Sequence, residues 1–474
     1  MRAYRPEHSS ERNEETNTSD PAIGEGNPSR RSVLRAVGAS TAAISGLAVA
    51  GTAAASGEYD TVVNLVDDFG ADPTGEEPIN DALDDAVRDD TKVIFPSGTY
   101  FVGENGFHRW DFGDGIEGER VSNVAFVGDG EVTLVPDSEI NDFIFALWGD
   151  DIHIEGFHID ETAEDTAVGL SHQCEKRLVI RDITFEGVSD TEGALTKLGP
   201  GVTDPDGTAV VEELHIPDGS TDYTDHTAVW VFPEHAGDIH FKRCSIQGMS
   251  DNALYGSPPG MPDGGGGSVR VENSFFKNNN VTAIRLGTSG SYAKNCTVVT
   301  EEDEIPPNPQ GAITSRAGWV WYDFDGTYEN INVIHDHPNG EGILDHDDET
   351  RNLSLEVRNC RFEMNNDGSN ALRFTDPGVE KLTLRNVSVT GEAGDGTAVA
   401  LGNCEVDANN LCLTQTGDDR DGISISSVTG TIGQSMIDVT GEELVEDDDS
   451  DVDVRNLRQN GNCPPAQEPH PLAE

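Results

Sequence analysis

Polar and apolar positions alternate in this chain in short bursts that return at a steady interval. A polar residue, most often Asn, is followed by a small or apolar residue, a variable one and a second apolar one. The unit reads Asn273-Ser274-Phe275-Phe276, Asn295-Cys296-Thr297-Val298, Asn330-Ile331-Asn332-Val333 and Asn359-Cys360-Arg361-Phe362, then Asn386-Val387-Ser388-Val389 and Asn410-Leu411-Cys412-Leu413. Weaker copies stand at Asn123-Val124, Gly156-Phe157, Asp182-Ile183, Glu213-Leu214, Arg243-Cys244 and Asn456-Leu457. Copies are mostly 22 to 35 residues apart, and one longer gap has room for two turns. A second burst follows each unit at a fixed offset. It reads Ala228-Val229-Trp230-Val231, Ala253-Leu254-Tyr255, Ala283-Ile284-Arg285-Leu286, Ala371-Leu372-Arg373-Phe374, Ala398-Val399-Ala400-Leu401 and Gly422-Ile423-Ser424-Ile425.

Alternation of period two predicts strands with one face inward, and a repeat of this length predicts one coil of a solenoid. A single coil cannot bury its own apolar face, so coils must stack into a continuous core. The expected fold is all-β, a single-stranded right-handed parallel β-helix of about 10–12 coils with a short N-terminal capping helix. Coils about 4.8 Å apart would bring the Asn amides into register, each bonding to the next along the axis. Asn also tolerates the left-handed backbone that a sharp corner requires. Cys244, Cys296 and Cys360 fall in the next column, beside Ser274, where they read as small buried hydrophobes. Cys404 and Cys412 are less constrained, and a local bridge between them stays open.

The N-terminal end has its own pattern. Val62 to Ala71 reads as a strand and turn. Ile79, Ala82, Leu83, Ala86 and Val87 fall on one helix face behind Pro78. Lys92 to Phe95 reads as a strand leading into Pro96-Ser97-Gly98-Thr99-Tyr100. Over Val62–Val102 this resembles the N-terminal cap of the pectate-lyase-like β-helix superfamily. There an Asp-x-Gly-Ala turn, a helix and a Phe-Pro-x-Gly-x-Tyr segment recur. The cap residues are expected to shield the first coil, a structural duty. One domain spans 56–458, with 56–102 as its cap, followed by a flexible C-terminal tail over 459–474.

Composition places the chain outside an ordinary cytoplasm. Its 88 acidic and 30 basic residues give a formal charge of −58, spread from Asp60 to Asp453. Such a surface repels itself in dilute buffer and is screened in concentrated salt, which points to a salt-adapted source. It also excludes nucleic acid as a partner, since phosphate binding needs a basic stripe. Residues 1–55 read as an address: Arg30 and Arg31 within Ser29–Arg35 resemble a twin-arginine signal, followed by apolar Ala36 to Ala50 and the small residues Ala53-Ala54-Ala55. The expectation is an exported, extracellular or cell-surface monomer with no membrane span after cleavage.

The resemblance implies a superfamily that mostly cuts or rearranges polysaccharides, by lyase, hydrolase or epimerase chemistry. The successive Asn-Thr-Asp, Asp-pair, Gly-His-Gly and Arg-Ile-Lys motifs of its galacturonan hydrolases are absent in that arrangement. So is the Asp-Pro-His signature of mannuronan epimerases. What remains is the outward position of the second burst: Trp230, Tyr255, Arg285, then Thr314, Leu344, Arg373, Ala400 and Ser424. Aromatic faces stack on sugar rings and guanidinium groups grip carboxylates, so Trp230, Tyr255, Arg285 and Arg373 are candidate substrate-binding residues. The densest titratable cluster is His335, Asp336, His337, Glu341, Asp345, His346, Asp347 and Asp348. A lyase would use Arg285 or Arg373 to neutralise the uronate and His335 or His346 as base. A hydrolase would use two carboxylates, such as Asp345 and Asp347. Ca²⁺ is the one cofactor suggested, at Asp345, Asp347 and Asp348 or at Asp418, Asp419 and Asp421. The reading is a carbohydrate-active protein for an anionic polysaccharide, a lyase ahead of a hydrolase. The rival is a non-catalytic binding rod with an aromatic, charged face and no converging titratable groups.

Overall fold

The computed structural model describes residues 59–103, 106–109, 119–221, 225–301, 304–346, 351–458 and 461–467. Arg30, Arg31, Asp347 and Asp348 lie outside the described residues. The chain is a right-handed parallel β-solenoid of about 13 turns, the hand that parallel crossovers impose. Each coil contributes to three sheets. In the middle of the molecule the first sheet holds Asp238–Lys242, Ser268–Glu272 and Tyr292–Lys294. The second holds Ser245–Gln247, Phe275–Lys277, Thr297–Thr300 and Asn332–His335. The third holds Asp225–Trp230, Leu254–Gly256, Ile284–Leu286, Arg316–Val320, Glu341–Asp345 and Leu372–Phe374. The coil count exceeds the sequence expectation because the first coils turn the same corner without Asn. The chain bends there at Pro96–Gly98 within Thr91–Val102, the site of a register shift.

The corner between the first and second sheets explains the Asn column. Asn273, Asn295, Asn330, Asn359, Asn386, Asn410 and Asn456 all have φ between 52° and 61°, as do Arg243 and Glu213, with Asp182 at 51°. Asn295 Nδ2 donates to Asn273 Oδ1 at 3.1 Å, Asn330 to Asn295 at 2.8 Å, Asn386 to Asn359 and Asn410 to Asn386 at 2.9 Å. Gln434, φ 50°, supplies the corner inside the long gap. Asn123 is left-handed too, but it belongs with Asp90 to the corner ahead of the first sheet, where its amide bonds the Asp90 carboxylate at 3.0 Å.

Inside, side chains stack in register. Val229, Leu254, Ile284, Gly318, Ile343, Leu372, Val399 and Ile423 form one interior row of the third sheet. Gly318 breaks the row of branched chains because buried Tyr328 takes the space, its ring 3.0 Å from where a Cβ would stand. Cys244, Cys296 and Cys360 are buried free thiols, bonded to backbone carbonyls. Burial pushes all three up to about 12.

The ends differ in detail from the sequence reading. The stretch expected as strand and turn contains a helix, Leu65–Phe69, which Asn64 caps through Oδ1 and Gly70 closes at φ 70°. The second helix, Asn80–Ala86, buries Leu83 and Ala86 on the core, with Ile79 just ahead of it. At the other end, Cys412 pairs with Cys463, 5.4 Å apart at Cα, whereas Cys404 is buried and free. Within the expected tail, residues 461–467 run back along the outer face of the second sheet. Ser388 Oγ donates to the Pro464 carbonyl at 2.6 Å, and Asn332 and Gln467 bond each other. Among the described residues no helix is long and apolar enough to cross a membrane.

Candidate functional site

The outward row of the third sheet is Trp230, Tyr255, Arg285, Trp319, Leu344, Arg373, Ala400 and Ser424. Trp319, not Thr314, continues the row above Arg285. The proline-rich insertion before this strand lengthens the coil and shifts the register by five residues, which hides the Gly318-Trp319-Val320-Trp321 alternation from a count of spacings.

Arg285 is only 5 % exposed. Its guanidinium carbon lies 3.6 Å from the Trp321 ring centroid, 3.9 Å from Tyr255 and 5.1 Å from Trp319. Its Nε donates to Ser257 Oγ at 2.9 Å. His346 covers the Trp321 ring at 3.6 Å between centroids, tilted by 37°. Arg285 is therefore a cation enclosed by aromatics, withdrawn from the surface where a polymer would lie. His335 and Asp345 are withdrawn further, each 0 % exposed. His335 Nδ1 accepts from the His337 amide at 3.3 Å, and burial pulls its pKa down to about 4. Asp345 Oδ2 accepts from the amides of Thr375 and Asp376 at 3.2 and 2.8 Å, tying one coil to the next. A strand alternates its faces, so His335 and Asp345 point inward where the sequence reading needed them outside. Arg373 stays near the surface in a fork with Glu341, Nη2 to Oε2 at 3.1 Å and Nε to Oε1 at 3.2 Å. Among the described residues no group of three or more His, Cys, Asp and Glu side chains is arranged to hold a metal.

Two acids that the sequence reading passed over stand at the corner leading into the third sheet. Asp225 begins the strand Asp225–Trp230, and Asp251 occupies the same corner one coil on. Thr227 Oγ1 donates to Asp251 Oδ2 and Asn252 Nδ2 to Oδ1, both at 2.7 Å. Burial raises the Asp251 carboxyl above the ordinary Asp value, and the Asp225 charge raises it further. The Thr227 hydroxyl and the Arg285 charge pull the other way. Asp251 nevertheless remains partly exposed. At the far end of the strands that leave this corner stand Trp230, edge-on to Phe232 at 5.4 Å, and Tyr255. The signal was there in principle, an acid two or three residues before Ala228 and before Ala253. In a chain with 88 acids such a coincidence carries little weight.

Beginning two coils further along this corner, an open cleft of about 730 Å³ lies between the turns at 311–316, 338–341 and 367–369, which belong to three successive coils. Arg316, Glu341, Arg373 and Asp367 line it, and the Arg316 guanidinium packs on Trp319 at 4.2 Å.

No protein-family model matches the sequence, and no curated protein is similar to it. Several solved structures resemble the fold. PfbA, a surface adhesin of Streptococcus pneumoniae, is 12 % identical with a TM-score of 0.43, covering 84 % of this chain and 93 % of its own. The A-module of the Azotobacter vinelandii mannuronan C-5 epimerase AlgE4 is 13 % identical with a TM-score of 0.32, over 87 % and 98 %. A Yersinia enterocolitica family 28 exopolygalacturonase is 12 % identical with a TM-score of 0.32, over 84 % and 78 %. At these values none of their activities carries to this chain.

Proposed function

We propose that this protein is an exported hydrolase of an acidic polysaccharide, working outside the cell in concentrated salt. The observation that supports it is the Asp225–Asp251 pair. One carboxyl is held toward its protonated form beside a second carboxylate, at a solvent-reachable corner whose strands carry Trp230 and Tyr255 at their far end. Glycoside hydrolysis needs this division of labour. Asp251 would give its proton to the leaving glycosidic oxygen. Asp225 would activate water or attack the anomeric carbon. Trp230 and Tyr255, a strand's length away, would stack a sugar beyond the one being cut. The lyase chemistry favoured on sequence loses its base in this reading. His335 faces the core and His346 is stacked on Trp321.

The test is hydrolysis of a panel of uronate polymers in molar salt, read as new reducing ends alongside absorbance near 235 nm. New reducing ends without that absorbance, lost in Asp251→Asn and in Asp225→Asn, would support the proposal. A rise at 235 nm would mean β-elimination. Binding without either signal would leave the non-catalytic rod. Proton NMR of the fresh product then tells inversion from retention, which reports the spacing of the two carboxyls.

A further inference from the structure

The cleft begins at Arg316, two coils or about 10 Å along the axis from Asp251, and runs through Glu341 to Arg373, four coils or about 19 Å away at about 4.8 Å per coil. A polymer laid along this corner would pass both. The cleft is unusual in its charge. The protein carries −58 overall, yet two guanidinium groups line the cleft beside two carboxylates, Glu341 and Asp367, and a third lies behind Ser369 of its lining. Two of the three, Arg316 and Arg373, line the walls. The third, Arg420, is 0 % exposed beneath the floor. It donates from Nη2 to the Ser369 carbonyl at 2.5 Å, from Nη1 to the Asp395 carbonyl at 2.7 Å and from Nε to Gln415 Oε1 at 2.8 Å. All three hydrogen-bond acceptors are neutral, while the charges of Asp367 and Asp421 act on the guanidinium from nearby. Burying a cation is costly, and an anion bound in the cleft adds to what these two carboxylates recover.

We infer that this cleft is a subsite for the carboxylate of an acidic sugar, in which Arg373 exchanges its fork with Glu341 for the same fork with the ligand. The inference rests on the polysaccharide reading above and adds to it where the charge of the polymer is read. Guanidinium forks match carboxylates in both geometry and charge, so Glu341 is a resident stand-in for the ligand group. Arg316, in register with Glu341 on the neighbouring strand, is placed to hold the ring side of the same unit. A neutral sugar would leave the Arg373–Glu341 pair closed and gain nothing from Arg420.

The experiment is calorimetric binding in molar salt to the full-length Asp251→Asn protein, which does not turn the ligand over. The probes are hexamers of galacturonate, mannuronate, guluronate and glucuronate, with the methyl ester of whichever binds. The esters keep the rings and remove the charge. The expected result is that one acid hexamer binds and its ester binds about ten- to a hundredfold more weakly, the worth of a charge-assisted fork. Arg373→Ala should bring the acid down to the level of the ester. Arg373→Lys, which keeps the charge and the fold but not the fork, should fall between. Glu341→Gln should tighten the acid by removing its competitor. A hexamer that binds the same to Arg373→Ala, Arg373→Lys and Glu341→Gln would overturn the subsite and leave the polysaccharide reading standing. Binding of no hexamer, acid or ester, would overturn both.

Discussion

The guanidinium carbon of Arg285 sits 3.6 Å from the centroid of the Trp321 ring, and the other face of that ring carries His346. Tyr255 closes the cation from a second side. Removing a wall and removing the cation should therefore have different costs. Trp321→Leu strips one wall from a buried charge that keeps Tyr255 and Ser257, an expected loss of about 2 kcal/mol. Arg285→Met fills a similar volume with an apolar chain and asks nothing of the cage, so it should cost about 1.5 kcal/mol or less. Urea unfolding in molar salt reads both. The reverse order would show that the cage serves Arg285 less than its hydrogen bonds to the Ser257 and Tyr322 side chains do.

Asp251 sets the pH dependence of stability at the corner. Its folded pKa is raised above the unfolded value, so the folded state holds more protons between the two values. Stability from this group is full below the unfolded Asp value and is lost as pH rises through the raised folded one. Asp251→Asn removes that loss. The variant should melt higher than the parent at neutral pH and match it in acid, while any hydrolytic activity disappears. Melting curves across that range check it, and equal shifts at every pH would refute it.

His335 works in the opposite sense. Buried neutral against Ser315 and His337, with Asp336 alongside, it is pulled down from 6.5 to about 4. The unfolded chain binds its proton first, so stability falls as pH drops through that window. His335→Gln, which keeps a polar side chain there and cannot titrate, should flatten the fall between pH 6.5 and 4. The gain should be confined to acid, and melting temperatures taken across the two values would show it.

How much of this was legible beforehand follows from what each feature depends on. The corner residues Asn273 to Asn410 announce themselves because a left-handed corner and an amide ladder both demand the same residue type at every coil. Column membership was readable wherever coil length held steady, and Leu344 and Arg373 were placed correctly. It failed at Thr314, where an insertion of three prolines moved the strand to Arg316–Val320. Facing was the harder problem. His335 and Asp345 look functional as residue types, yet each ends a strand on its inward side, and a shift of one position decides that. Asp225 and Asp251 were hidden by abundance, since only proximity across coils distinguishes them from other acids. The partner of Cys412 lay beyond the last coil, in a segment whose only local signal was Cys463-Pro464-Pro465.

Cys463 fastens the C-terminal strand of chain to the solenoid. Met436, Cys412, Ser388, Arg361 and Asn332 are successive outward positions of the second sheet. Residues 461–467 pass over them in that order, against the direction in which the coils were laid down, bonded at Cys412, Ser388, Arg361 and Asn332. The bridge spans 51 residues, and closing a loop of that length in the unfolded chain is worth about 4 kcal/mol. The last coils have the most to lose, because residues from Leu444 to Arg455 are largely exposed and rely on a single neighbouring coil. Cys463→Ser, or a reductant on the parent, should therefore lower stability by up to about 4 kcal/mol. Amide exchange should rise first beyond Thr429 and leave the coils around Arg285 protected. The five free cysteines described, Cys174, Cys244, Cys296, Cys360 and Cys404, are all buried and should resist thiol reagents until the solenoid unfolds. Uniform loss of protection along the whole solenoid would mean that the coils unfold as one unit, with the bridge acting only through the unfolded chain.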